Sequence, residues 1–431
     1  MKRRKFLTAS AQGLFAAPSL TVLAGENLAR AAKLHVPHSS EIDPNDEKFW
    51  GQVREQFPLR RNRIYLNNGG LGPSPFPVID TVQKMMGDLE EISETGHSAA
   101  LWQKVKTSCA KILGCSSEEL ASTRNATEGI NIVCNGLPLR SGDEIITSTH
   151  EHVGNTISWL ARQKRDGVRV RVFEPSMISA QENLDRIEAL ISPKTRVLSV
   201  MHVSTATGQI LPLKEIGEIA QKHNLWYFVD GAQSAGMTPV NLQEIGCHAF
   251  ATSGHKWLLG PKGTGLLYVR KDMLDTIEAK WVGAYSNEGS FDMKTGEFHF
   301  HPSAQRYEYG TVNAPLFAGL GAAADFLLQI GIQNVWRRNL ALTNKLKNGL
   351  QEVGVDYLSP RYKGGLGSMM TFRVPGVERA ALQKFLAEKH KLRTRGIYEG
   401  GLDGVRISLH IYNSFAEIDQ ILAAVREAKK L

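Results

Sequence analysis

The stretch Trp226-Tyr227-Phe228-Val229-Asp230-Gly231-Ala232-Gln233-Ser234-Ala235-Gly236 decides the fold. Its apolar run predicts a short strand over 226–229, and the carboxylate followed by small residues predicts the open end of that strand, where α/β sheets bind their ligands. Working outward, similar short apolar runs recur at 64–66, 144–148, 168–173, 197–203, 250–252 and 266–269. Between them, 213–223 places Leu213, Ile216, Ile219 and Ala220 three and four apart, the spacing of a helix with one buried face. The alternation predicts an α/β unit built on a mostly parallel seven-stranded sheet. Beyond about residue 311 the texture changes to helical segments at 316–330 and 334–353. Strand-like runs follow at 369–374 and 405–409, with a closing helix at 416–430, as in a smaller α+β domain. The expected division is a leader at 1–31, an N-terminal segment at 32–75 packing on the small domain, a large domain at 76–315 and a small domain at 316–431.

With 431 residues, 42% of them hydrophobic and 22% charged, the chain can bury a sizeable core. The four cysteines (Cys109, Cys115, Cys134, Cys247) form no CxxC and stand near no histidine at ligand spacing, which argues against a disulfide framework or a zinc site. No run of about 18 apolar residues suggests a membrane-spanning helix. The net charge is +8, but five basic residues and one acid fall in the first 31 positions, so +4 remains over the rest. That is an ordinary surface balance, and nucleic acid is not expected as a partner.

Arg3-Arg4-Lys5-Phe6-Leu7 precedes a small-residue, mildly apolar stretch, and Ala29-Arg30-Ala31 has the small-x-small form of a cleavage site. The segment resembles a twin-arginine export signal, which implies the twin-arginine translocation machinery as a partner and a periplasmic or exported location. The alternative is a basic arm on a cytoplasmic protein.

Asp230, at a strand end, calls for a cationic partner. Ser253-Gly254-His255-Lys256-Trp257 follows after another short strand and leads into the glycine-rich 260–265. A partly desolvated lysine there could form a Schiff base, because burial lowers its pKa and frees the amine. Alone, Lys256 would pass for a surface lysine in a glycine-rich turn. Together with Asp230 it fits pyridoxal phosphate chemistry, which needs a lysine for the aldehyde and a carboxylate that keeps the pyridine nitrogen protonated. A turn entering a helix at Asn125-Ala126-Thr127 offers free N–H groups and a hydroxyl suited to a phosphate, although by itself it is an ordinary N-cap.

These motifs, in this order over roughly 60–425, resemble the class V aminotransferase family of pyridoxal-phosphate enzymes of fold type I. The resemblance implies pyridoxal 5'-phosphate as cofactor, Lys256 as the lysine that bears it, Asp230 as the partner of the ring nitrogen and Gln233 on the ring-hydroxyl side. It implies Ala126, Thr127, Ser253 and His255 at the phosphate, and His152 of Thr149-His150-Glu151-His152 stacked on the ring. Gly310 and Thr311, in Tyr307-Glu308-Tyr309-Gly310-Thr311, match positions that reach the neighbouring subunit's phosphate, which implies a homodimer with shared sites. Arg406, in Val405-Arg406-Ile407-Ser408-Leu409-His410, matches the clamp for the substrate's α-carboxylate, a task suited to a planar guanidinium. Asn68 and Gly69, in the glycine-rich 65–73, match the substrate side. No metal is expected. His150 with His152, and His299 with His301, are two apart as metal pairs can be, but no third ligand is evident.

Two departures narrow the function. Cysteine desulfurases carry a thiol on the loop before the clamp arginine, and here 393–401 has none. Thr205 falls where desulfurases have asparagine, yet its hydroxyl can still bond the cofactor or substrate. The expectation is therefore an enzyme acting at Cα or Cβ of an amino acid or small peptide, closest to the isopenicillin N epimerase-like branch. The alternatives are an aminotransferase or C–S lyase of the same fold, and a desulfurase or a catalytically silent binding protein ranks behind them. Inversion at Cα would need a second acid, for which His152, His202 and Tyr398 are candidates.

Overall fold

The computed structural model describes residues 34, 36 and 41–431; the expected leader at 1–31 lies outside the described residues. Seven strands form the central sheet in the order Leu120–Thr123, Gly265–Val269, Ala249–Ser253, Trp226–Asp230, Thr195–Met201, Glu144–Ser148, Arg169–Phe173. Gly265–Val269 runs antiparallel to both neighbours, and all the other pairings are parallel. Side chains alternate between faces, so Tyr227 and Val229 enter one apolar core while Phe228 enters the other. Both faces are covered, which is why these strands read as continuous apolar runs.

The sheet has the seven strands expected, with one exchange. Ile64–Tyr65 does not join it but pairs in parallel with Leu392–Arg393, and Ser408 N donates to Leu66 O (2.8 Å), tying the N-terminal segment to the small domain's strands. Its place at the edge is taken by Leu120–Thr123, whose sequence Leu-Ala-Ser-Thr is too short and polar to announce a strand. An apolar run states strand character and not its partner. A second sheet, Asp356–Tyr357, Met369–Arg373, Gly404–Ser408 and Arg395–Ile397 in that spatial order, is antiparallel throughout. The boundary drawn at 316 falls inside the helix Ala314–Ile330. Its Phe317, Leu320, Ala324 and Leu327 belong to the core of the large sheet, so that helix is part of the large domain's packing. No single helix among the described residues is long and apolar enough to cross a membrane.

Candidate active site

The parallel strands end together on one side of the sheet, and the expected site residues other than Gly310 and Thr311 gather there. Asp230, last residue of its strand, is buried, and its Oδ1 accepts from Ala232 N (2.9 Å). Lys256 is also buried; desolvation lowers its ammonium pKa from 10.5 to about 8, with Asp230 opposing the fall and Arg406 and Arg395 adding to it. The glycine-rich N-terminal segment lies directly on this lysine. Gly72 N donates to His255 O (2.7 Å), and a Cβ on Gly72 would stand 2.2 Å from the Lys256 carbonyl oxygen, so no other residue fits at 72 without displacing the backbone.

Asn125 caps the helix Ala126–Gly136, its Oδ1 accepting from Glu128 N (3.0 Å), and Ala126 N donates to Ser253 Oγ (3.1 Å). Ala126 and Ser253 are thus joined at a helix N-terminus, whose free amides suit a phosphate. Thr127 is in the helix's first turn, beside Gly154: a Cβ there would lie 2.6 Å from Thr127 Oγ1. His255 keeps a buried Nδ1 without a partner, and desolvation together with Lys256 and Lys262 brings its pKa down to about 4. His152 is not on a strand. It caps the helix Val153–Asp166 through Nδ1, which accepts from Gly154 N (3.1 Å). Nδ1 is therefore unprotonated, and desolvation and Lys256 lower the ring's pKa. No group of three or more potential metal ligands occurs among the described residues.

Arg406 is fully buried. Its Nη1 donates to Thr205 O (2.7 Å) and Thr205 Oγ1 (2.9 Å), its Nη2 donates to Asn67 Oδ1 (2.9 Å), and its Nε has no partner. Burial brings its pKa down to about 9, and no ion pair with a carboxylate is found for it among the described residues. A buried guanidinium hydrogen-bonded to neutral oxygens is suited to a carboxylate's charge. Gln233 links the parts: its Nε2 donates to Gly69 O (2.9 Å) and Thr205 Oγ1 (3.1 Å), and its Oε1 accepts from Trp257 Nε1 (2.8 Å). Asn68 Oδ1 accepts from the Tyr412 hydroxyl (3.1 Å), leaving a buried, unpartnered Nδ2.

Gly310 and Thr311 are not in this cluster. Gly310 N donates to Ala284 O (3.0 Å), Thr311 is exposed, and no hydrogen bond among the described residues joins either to the Lys256 group. Of the three candidate second acids, Tyr398 is 66% exposed. His202 is walled in, its pKa brought down to about 4 by burial alone. His202 also touches the cluster, its backbone N donating to Asp230 O (2.9 Å), whereas His152 is only half-buried and feels both Lys256 and Asp230. Sequence reasoning missed Asn67 as a partner of Arg406, and Glu151. The Glu151 carboxyl accepts from Ser148 Oγ (2.8 Å), Met201 N (3.0 Å) and Asn155 Nδ2 (3.0 Å), and burial, with Asp230 next in effect, raises its pKa to about 7. Both residues stand in motifs already singled out, but only the fold shows what they touch.

A family model described as aminotransferase class-V matches residues 64–421. The chain belongs to that family. It is 31% identical over 396 residues to a probable cysteine desulfurase of Methanothermobacter thermautotrophicus, covering 87% of this chain and 96% of that one. It is 29% identical over 408 residues to an isopenicillin N epimerase of Amycolatopsis lactamdurans, covering 88% and 99%. Among solved structures, the complex of the cystine C–S lyase C-DES with its product cysteine persulfide aligns with a TM-score of 0.79 at 28% identity, over 86% of this chain and 99% of that one. Many curated relatives of this class V enzyme carry the name cysteine desulfurase, the activity its sequence had ranked behind others.

This class V chain is a fold-type I, pyridoxal-phosphate-dependent enzyme. The residues present fit the group. Lys256 would carry it, Asp230 would face the ring nitrogen, His152 the ring, and the helix start at Ala126 and Thr127, with Ser253 and His255, the phosphate. The unpartnered His255 Nδ1 and the desolvated Lys256 are the structural marks of that fit.

Proposed function

We propose that this enzyme eliminates a sulfur substituent from Cβ of an amino acid or small peptide, as a C–S lyase that passes no sulfur to itself. The observation that carries the proposal is Lys256, buried with a lowered pKa between Asp230 and Arg406. Arg406 receives the α-carboxylate, with Thr205 and Asn67 fixing its fork. Bound pyridoxal phosphate supplies an electron sink for negative charge developing at Cα. Lys256 Nζ takes the Cα proton; the C–H electron pair becomes the Cα–Cβ double bond, and sulfur leaves Cβ with the electron pair of the broken C–S bond. The released enamine hydrolyses to a 2-oxo acid and ammonia.

Elimination needs one base on one face, which matches a cluster with one buried amine. A protein persulfide would need a thiolate, and burial raises the thiols of Cys109, Cys134 and Cys247 to about 12 and that of Cys115 further still. The second reading is inversion at Cα, supported by the epimerase relative and by His152 as the bordering acid. Incubation of the purified holoenzyme with cystine and S-substituted cysteines in deuterium oxide tests both. A 2-oxo acid with free sulfur products, lost in Lys256→Ala, is expected. Racemised, α-deuterated amino acid without a 2-oxo acid establishes the second reading, and alanine with a persulfidated protein overturns both.

We further propose a homodimer and export by the twin-arginine route. Supporting the first is an exposed patch of Trp281, Val282, Tyr285 and Val312 beside Thr311; supporting the second are Arg3 and Arg4 ahead of the small-residue stretch. Sedimentation at two concentrations and N-terminal sequencing of the exported protein test them.

A further inference from the structure

Strands Arg395–Ile397 and Gly404–Ser408 are antiparallel, and Arg395 stands directly opposite Arg406. Residues in that relation share a face, where two like charges destabilise a sheet unless something compensates them. Both guanidinium groups reach the catalytic lysine electrostatically, each lowering the pKa of Lys256. Three cations, Lys256, Arg395 and Arg406, thus converge with two carboxylates, Asp230 and Glu399. A substrate's α-carboxylate answers Arg406. Arg395 is answered by Glu399 of its own loop in an internal ion pair.

The two halves of that pair stand on different kinds of backbone. Arg395 is fixed by sheet pairing on the same strand that faces Arg406. Glu399 sits where the chain leaves the sheet and enters Gly400 and Gly401, whose φ values of 63° and 73° lie in the left-handed region. The Glu399 carboxylate is buried and also accepts from Tyr398 N (3.2 Å), so it gives way only when the turn itself moves, a change that glycine at 400 and 401 admits without backbone strain. Tyr398, Gly400 and Gly401 around it are exposed, so a released carboxylate has water to enter. The arrangement is a cation on a paired strand answered by an internal anion on a turn.

We propose that the substrate carries a second anionic group on its side chain, which displaces Glu399 and pairs with Arg395 while Arg406 holds the α-carboxylate. This rests on Arg406 being the α-carboxylate clamp. The substrate class is then an acidic α-amino acid, such as a cysteine S-substituted with a carboxylate-bearing chain, and the guanidinium fork supplies the selectivity.

The test is equilibrium binding to the holoenzyme, read from its visible absorption with S-carboxymethylcysteine against its neutral amide, S-carbamoylmethylcysteine, and with glutamate against glutamine. The wild type is expected to bind the acid of each pair about tenfold or more tightly, as a charge-assisted pair warrants. Arg395→Gln should abolish that ratio and Arg395→Lys restore part of it. Glu399→Gln, which removes the internal competitor, should tighten the acids about three- to tenfold relative to the amides; a purely structural ion pair predicts weaker binding of both. Equal binding of acids and amides by the wild type, or an unchanged ratio in Arg395→Gln, overturns the proposal and leaves Arg406 untouched. If no amino acid perturbs the spectrum, the clamp reading falls, and this proposal with it.

Discussion

Titrating the apo-protein from pH 6 to pH 9 should bend its rate of covalent pyridoxal phosphate capture over near pH 8. Capture needs the free amine of Lys256, whose pKa falls from 10.5 to about 8 because burial outweighs the pull of Asp230. At pH 7 that leaves about 9% of the lysine as amine, against about 0.03% for an ordinary side chain, a gain of roughly 300-fold. Across the titration the amine fraction climbs from about 1% to about 90% and then flattens. The assay is stopped-flow absorbance, normalised to a simple alkylamine so that the cofactor's own ionisations cancel, with borohydride reduction and peptide mapping to place the adduct at Lys256. Asp230→Asn should move the midpoint down, since Asp230 favours the ammonium. A rate still rising about tenfold per pH unit through pH 10, or a midpoint that Asp230→Asn moves upward, would refute the electrostatic account.

Acid should destabilise the fold as its buried histidines are forced to charge, with Glu151, whose carboxyl is raised to about 7, opposing the fall by about one ring's worth. His202 and His410 are buried with pKa values near 4 against an ordinary 6.5, so the unfolded chain binds more protons between those values. Stability should fall as pH drops from about 6.5 towards 4, by up to about 1.4 kcal/mol per pH unit for each ring. Denaturant melts across that window check the slope, and His202→Gln should make it shallower. Gly72→Ala should cost about 1–3 kcal/mol and loosen cofactor retention by pushing the 65–73 segment off Lys256. Unfolding midpoints and dialysis against cofactor-free buffer measure the two effects; wild-type values for both would remove Gly72 from the site.

The alternation of apolar runs and amphipathic stretches determined the α/β class, because a strand buried on both faces must be apolar along its length. Asp230, Lys256 and Arg406 were legible as chemistry only together and in order, because an acid and a lysine at strand ends fit one cofactor and the flanking motif of the arginine resembles a family clamp. Pairing was not legible. Ile64–Tyr65 and Leu120–Thr123 exchanged places because hydrogen-bond partners are chosen across the whole chain, not within a run. The loop 393–401 showed in sequence the thiol it lacks and Tyr398, and nothing of the Arg395–Glu399 pair. That Arg395 faces Arg406 depends on an antiparallel register joining residues eleven positions apart through a turn. Asn67, 339 positions from Arg406, completes the clamp only when the N-terminal segment crosses the sheet ends. Local patterns set which residues can do chemistry. Tertiary structure decides which of them share a dry space, since desolvation and charge act through distance and not through sequence.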